Sequence, residues 1–282
     1  MSDGIERGDE IVAGTLGRPL FLRWMVPERP RGSVILVHGY GEHSGRYLHV
    51  MEALVSRGLA VLAPDHRGHG RSGRIPGYIE DAELILSDLG IAHRRLLHHA
   101  PAPVLSLAHS MGALLLLRYL ERFGDEIGGA VLNAPALQVP ERVPRWIRAL
   151  AGGVARIAPT APMQPFFNPA RNTRDPDVHR AVRADPLSYK GWVRAGTGVE
   201  VMRLITETRR DLGKITTPLL ITHGTHDEQV RPEISRDLVP LLGTDEVELH
   251  LFEGLRHEVH QEPERDEVVA IWGDWLLSRL PR

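Results

Sequence analysis

The sequence predicts an α/β protein with a mostly parallel central sheet, helices on both faces and one long insertion. Three observations carry that prediction. Apolar, β-branched runs bounded by turn residues recur along the chain, helix-like segments separate them, and the alternation lapses once, between about residues 135 and 217. A crossover between parallel strands needs only about a dozen residues, so that stretch holds an inserted subdomain.

The elements follow in order. "EIVAGTLGRPLFLRWMV" (10–26) reads as a hairpin turning at "GR" that adds antiparallel strands at one edge. "SVILVHG" (33–39), "LAVLAPD" (59–65), "PVLSLAH" (103–109), "GGAVLNAP" (128–135) and "PLLITHG" (218–224) are short apolar runs of the kind buried on both faces. "EVELHLFEG" (246–254) alternates and forms a further strand. Helices are predicted over 46–58, 80–100, 111–124 and 265–280. The core is therefore assigned to 1–134 and 212–282, with 135–211 as an inserted cap. Within it Val143, Trp146, Ile147, Leu150, Val154 and Ile157 fall on one helical stripe, with Arg142, Arg145, Arg148 and Arg156 off it. Two readings are open: a helix packed on the domain, or a lid whose apolar face lines an acyl pocket or meets lipid. Gly152-Gly153 is expected to weaken or break this helix.

Composition narrows the function. With 42% hydrophobic and 25% charged residues the 282-residue chain has the mix of a soluble globular protein. Its longest apolar runs, such as "ALLLL" (113–117), are far shorter than the roughly 20 residues a bilayer requires. A formal net charge of -2 offers no broad positive field for nucleic acid. The absence of cysteine excludes disulfides, thiolate catalysis and cysteine-ligated metals. The opening "MSDGIERGDE" is acidic and lacks a signal-like apolar core, so a cytoplasmic location is expected.

The chemistry centres on "SLAHSMGA", where Ser110 stands at a strand-to-helix corner. Such a turn holds a serine hydroxyl out above the sheet and requires small residues two before and two after. Those positions are Ala108 and Gly112, so the first is relaxed by one methyl group. An N-cap serine is the bland alternative. A nucleophilic serine needs a base, and the base needs a carboxylate, each on a loop after a later strand. "THDEQV" puts Asp227 and Glu228 after one strand, and "EGLRHEVHQE" puts His257 after the next, with His260 as its rival. Spacing leaves both choices open. His109 is expected to pack or line the pocket, and His250 to be structural. The oxyanion of a tetrahedral intermediate would take the backbone N–H of Met111 and, from the "HGYG" loop, that of Tyr40.

That same loop imitates a dinucleotide fingerprint: Gly39-x-Gly41-x-x-x-Gly45 follows a strand, and Asp65 ends the next one. The spacing is irregular, and a nicotinamide-dependent oxidoreductase would leave Asp227 and His257 unexplained. His66-x-x-His69 beside Asp65 looks like part of a tight turn rather than a metal site, and "HEVH" fails as H-E-x-x-H.

Taken in order, "HGYGEHSGRY" (38–47), "DHRGHGRSG" (65–73), "HSMGA" (109–113), "DPLSYKG" (185–191), "HGTHDEQV" (223–230) and "HEVHQE" (257–262) resemble the motifs of monoacylglycerol lipases of the bacterial type. The resemblance runs from about residue 33 to the end of the chain. It implies the α/β-hydrolase fold, a Ser110-Asp227-His257 triad, and an oxyanion hole from the backbone of Tyr40 and Met111. It implies also a glycerol head held by Glu42, Arg46 and His260, and a cap that shapes an acyl channel and helps the enzyme reach lipid. Ala108 and Tyr40 depart from the family pattern, and Tyr40 is expected to narrow the alcohol side. The expectation is a serine hydrolase that cleaves monoacylglycerol to glycerol and fatty acid, with no cofactor and no metal. The alternatives are a lysophospholipase or general carboxylesterase with the same triad, the oxidoreductase, and a binding protein without turnover.

Overall fold

In a computed structural model, residues 4–100, 103–138, 145–165 and 168–281 are described. The chain opens with the expected hairpin, β1 (Ile5–Ala13) and β2 (Pro19–Pro27), and enters the sheet interior at β3 (Gly32–Val37). After it come α1 (Leu48–Val55), β4 (Leu59–Pro64), α2 (Ala82–His99), β5 (Val104–His109), α3 (Met111–Phe123) and β6 (Ala130–Asn133). The insertion supplies α4 (Arg145–Ile157), β7 (Pro162–Pro165), α5 (Pro176–Ala184), β8 (Trp192–Arg194) and α6 (Ala195–Asp211). The chain then returns through β9 (Leu219–Gly224), α7 (Glu233–Leu238) and β10 (Val247–Phe252), and closes with α8 (Arg265–Ser278).

Eight strands form one sheet in the order β1-β2-β4-β3-β5-β6-β9-β10. β1, β2 and β4 pair antiparallel, and every pairing from β4 to β10 is parallel. Each residue of β3, β4, β5, β6 and β9 is buried, because helices cover both faces. The outermost β1 and β10 instead alternate between more and less exposed residues. Polarity along each strand thus tracks its place in the sheet.

Two apolar layers flank the sheet. On one side Leu86, Leu89 and Leu96 of α2 join Leu114 and Leu117 of α3. On the other, Met51 and Leu54 of α1 meet Trp272 and Leu276 of α8. Helix starts follow from local chemistry: the Asp81 side chain accepts from Glu83 N to cap α2, and Asp175 accepts from Asp177 N just before Pro176 opens α5.

The inserted segment is joined to the rest of the molecule. Leu204 and Ile205 of α6 lie in the core layer with α3, so its last helix doubles as part of the covering layer. β7 and β8 make a separate two-stranded ribbon. α4 is continuous through Gly152-Gly153, contrary to the expected break: it packs against α6, and tertiary contact overrides weak propensity. Part of the stripe faces outward, Trp146 being 65%, Leu150 55% and Ile157 90% exposed, while Val154 is partly buried. Arg142 and Val143 lie outside the described residues, as do the side chains of Arg145, Ile147 and Arg148.

Trp272 is fully buried among the apolar residues between the sheet and α1 and donates from Nε1 to Thr222 Oγ1 at 3.2 Å. Trp272→Ala should lower the unfolding free energy by about 3–5 kcal/mol, measured as a reduced urea midpoint at unchanged slope.

Candidate active site

The site stands at the carboxyl ends of the central parallel strands. Ser110 links β5 to α3 with φ 53° and ψ −118°, in the positive-φ region that serine rarely enters. Its neighbours enforce this: Ser110 N donates to Asn133 O at 2.9 Å, while Ser110 O accepts from Leu114 N at 3.1 Å and from Ala136 N at 3.2 Å. The first turn of α3 presses on the end of β3, so a Cβ on Gly112 would lie 2.4 Å from both Val37 O and His38 O. Glycine is required there. Ala108 is a fully buried strand residue paired with Val37 and Leu132, where a methyl group is part of the core. The Ser110 side chain makes no capping hydrogen bond, so the N-cap reading does not hold.

Ser110 Oγ instead lies 2.8 Å from His257 Nε2, and His257 Nδ1 lies 2.6 Å from Asp227 Oδ2. Asp227 sits on the loop after β9; its Oδ1 accepts from Gln229 N and Val230 N, and its Oδ2 also meets His223 Nε2 at 3.0 Å. Burial pushes the Asp227 carboxyl up, but the facing imidazoles of His257 and His223 outweigh it and hold the group below the usual carboxylate range. For His257, burial disfavours the imidazolium, while the charge and hydrogen bond of Asp227 favour it and prevail, so its pKa is raised.

The rivals are elsewhere. Glu228 is exposed and lies 3.6 Å from Arg171 Nε. His260 is wholly buried, with neither ring nitrogen hydrogen-bonded, and stacks on Tyr47 at 4.7 Å. His109 is buried against His257, ring centroids 4.6 Å apart, with Nδ1 2.8 Å from Asn133 Nδ2. His250 lies on β10 against Phe252.

The "HGYG" loop runs beside the serine: a Cβ on Gly39 would fall 3.3 Å from Ser110 Cβ. The loop is held from below, because Gly39 N donates to Glu42 Oε2 at 2.8 Å. Met111 is the buried first residue of α3. The Tyr40 side chain bridges away toward another loop, donating from its hydroxyl to Gly77 O at 2.8 Å and meeting the Tyr189 ring edge-on. Tyr40 thereby forms a strut between two loops.

Glu42, Arg46 and His260 are brought together, but as a buried cluster with its charges already engaged. Arg46 Nη1 donates to Glu42 Oε1 at 2.7 Å and to Glu258 Oε1 at 3.1 Å, while Nη2 donates to Glu258 Oε2 at 2.5 Å. Tyr47 donates its hydroxyl to Glu42 Oε2. One guanidinium serves two carboxylates, and burial disfavours charge on both. Glu42 is pushed up to about 7 by burial, against the pull of Arg46, whereas in Glu258 the Arg46 fork overcomes burial and depresses the pKa. Glu42 and Arg46 thus belong to a buried cluster of compensated charge, with His260 stacked beside it on Tyr47.

Glu42, His109 and Glu258 also bring potential metal-ligating atoms within 4.8 Å of one another, yet both carboxylates are occupied by Arg46. His66 and His69 do not converge on a common point. Their rings are perpendicular, with His66 Nε2 directed at His38 O and His69 Nδ1 at Arg67 O. Asp65 accepts from the backbone N of Ser44 and of Arg71, which removes the ribose-binding acid the oxidoreductase reading needs. No helix among the described residues is long and apolar enough to cross a membrane.

Sequence reasoning missed Glu258, Asn133, Asn172 and His223 as supports of the site. Adjacency of Glu258 to His257 in "HEVHQE" was the one available signal.

Comparison with known proteins places this geometry among relatives. Residues 28–264 match the family model described as "Serine aminopeptidase, S33". The monoacylglycerol lipase of Mycolicibacterium smegmatis is 35% identical over 279 residues, covering 97% of this chain and 98% of that protein. The human monoglyceride lipase is 28% identical over 258 residues, covering 87% of this chain and 82% of its own length. A crystal structure of Paleococcus ferrophilus monoacylglycerol lipase superposes with a TM-score of 0.82 at 29% identity, covering 97% of this chain and 99% of the other.

A base must be neutral to accept a proton, so with the His257 pKa raised above the ordinary 6.5, kcat/KM for an ester should rise with pH through a midpoint above that value. Asp227→Asn removes the charge that raises it. The midpoint should move to lower pH and the plateau fall on the order of 10⁴-fold, both read from a pH–rate profile.

Proposed function

The chain belongs to the α/β-hydrolase family of serine hydrolases that includes the monoacylglycerol lipases, and on that premise we propose that it hydrolyses monoacylglycerols to glycerol and fatty acid. The observation that carries the reading is the continuous Asp227–His257–Ser110 hydrogen-bonded relay ending on a positive-φ serine.

Ser110 Oγ attacks the ester carbonyl carbon as His257 Nε2 takes its proton. The oxyanion is held by the backbone N–H groups of Tyr40 and Met111, each such donor contributing about 2.7–4 kcal/mol. Collapse breaks the acyl–oxygen bond, and His257 returns the proton to the departing glycerol oxygen. Water then attacks the acyl-serine and gives its proton to His257, and the fatty acid leaves as Ser110 regains its hydrogen. Asp227 keeps the imidazole in the tautomer that accepts from serine and stabilises its charged form.

Residues 135–211 act as the cap in this reading. The outward Trp146, Leu150 and Ile157 of α4 give it an apolar face suited to touching lipid. Glu42, Arg46 and His260 form the floor of the head-group side. Glu42 acts on catalysis chiefly through Gly39, whose N–H it holds.

Ser110→Ala should reduce turnover on the order of 10⁴- to 10⁶-fold with folding intact. Rates across monoacylglycerols, lysophospholipids and p-nitrophenyl esters of rising chain length should favour monoacylglycerols. A maximum on lysophospholipid or simple ester would assign the same residues to one of those reactions instead. Because Glu42 anchors the oxyanion loop, Glu42→Ala should slow monoacylglycerol and ethyl-ester hydrolysis by similar factors; a loss confined to monoacylglycerol would assign Glu42 a direct contact with glycerol.

A further inference from the structure

We propose that Asn172, in the inserted segment, is a positioning residue for ester hydrolysis: its side-chain amide ties the loop bearing Asp227 to the loop bearing His257. The proposal rests on the reading of Ser110, Asp227 and His257 as the hydrolytic residues.

The two loops follow different strands, and the 2.6 Å contact between Asp227 and His257 depends on their relative placement. Near the strands they are joined by backbone bonds, Thr225 N to Phe252 O and His226 N to Leu255 O. Farther out, Asn172 supplies a bridge. Its Nδ2 donates to Glu258 Oε1 at 2.5 Å, and its Oδ1 accepts from Gln229 Nε2 at 2.7 Å. Glu258 directly follows His257, and Gln229 N donates to Asp227 Oδ1 at 2.6 Å. One amide therefore touches a neighbour of each functional side chain.

The residue type fits the task. A carboxylate on one side needs a donor and an amide N–H on the other needs an acceptor, and asparagine presents both from one short planar group. The frame also extends to the oxyanion loop, since Glu258 takes both Nη atoms of Arg46, Arg46 holds Glu42, and Glu42 holds Gly39 N. Attachment of the segment does not depend on the amide. Glu258 N donates to Asn172 O, and Thr173 and Arg174 bond Glu262. Removing the side chain alone should leave the segment docked while loosening the relay.

The test uses the full-length protein, p-nitrophenyl acetate as a substrate too short to need an acyl channel, and a fluorophosphonate probe. Wild-type labelling at Ser110 checks the underlying reading; its absence, together with absence of turnover, overturns both. Given labelling, Asn172→Ala should lower kcat by about 10- to 100-fold with KM nearly unchanged and the thermal midpoint preserved. Asn172→Asp should separate positioning from mere structure. When protonated, its carboxyl can donate to Glu258 and accept from Gln229; when ionised it opposes Glu258, with Arg46, Glu42, Arg171 and Glu228 as the other charges nearby. Its kcat relative to wild type should fall as pH rises. The proposal is overturned if Asn172→Ala keeps kcat within twofold of wild type. It is overturned equally if activity falls only in step with the folded fraction while Asn172→Asp retains the wild-type pH profile.

Discussion

Everything in this site hangs on one strained residue. Ser110 occupies a backbone conformation costing on the order of 1–3 kcal/mol for a non-glycine residue, and it persists because the sheet over-determines it. β5 is clamped between β3 and β6, Ser110 N is tied to Asn133 at the end of β6, and α3 starts so close to β3 that Gly112 has no room for a side chain. Relaxing the serine would require moving the centre of the sheet. The hydroxyl consequently meets His257 without a rearrangement of its own, the kind of preorganisation on which proton transfer in a hydrolase depends.

Beneath the serine lies a second constraint, the sharing of Arg46 by Glu42 and Glu258. Burying three charges is unfavourable unless each is paired and hydrogen-bonded. Here the bonds do double service: the Glu42 carboxylate also holds Gly39 N, and Glu258 adjoins His257. The loop bearing Gly39 and the loop bearing His257, far apart in sequence, are tied to one another through a single guanidinium. Glu42 accordingly reads as part of the scaffold under the reacting atoms more readily than as a hand for the substrate.

What the sequence made legible follows from how local each signal was. Central strands buried on both faces are unbroken apolar runs, so β3, β4, β5, β6 and β9 stood out, as did the alternating edge. Ser110, Asp227 and His257 were readable because each follows a strand that could itself be recognised. Long-range pairings left no such trace: Arg46 and Glu258 are 212 positions apart, and Asn172 is joined to loops much later in the chain. Helix periodicity gave the stripe on α4 but not its direction, since amphipathicity is the same whether the apolar face meets protein or solvent. The two glycines misled for a related reason, because packing on α6 outweighs their propensity.

The inserted segment is fastened at its middle, by residues 172–174 against the histidine loop, and at its end, by α6 within the core layer. This has an evolutionary consequence. Chain added or deleted between these two fastenings would shift the register of groups that support the serine, whereas changes in length around α4 and the β7 side of the ribbon, which precede both, disturb none of those bonds. Divergence among descendants of this protein should therefore concentrate there, letting the rim of the site be rewritten while the reacting centre keeps its dimensions.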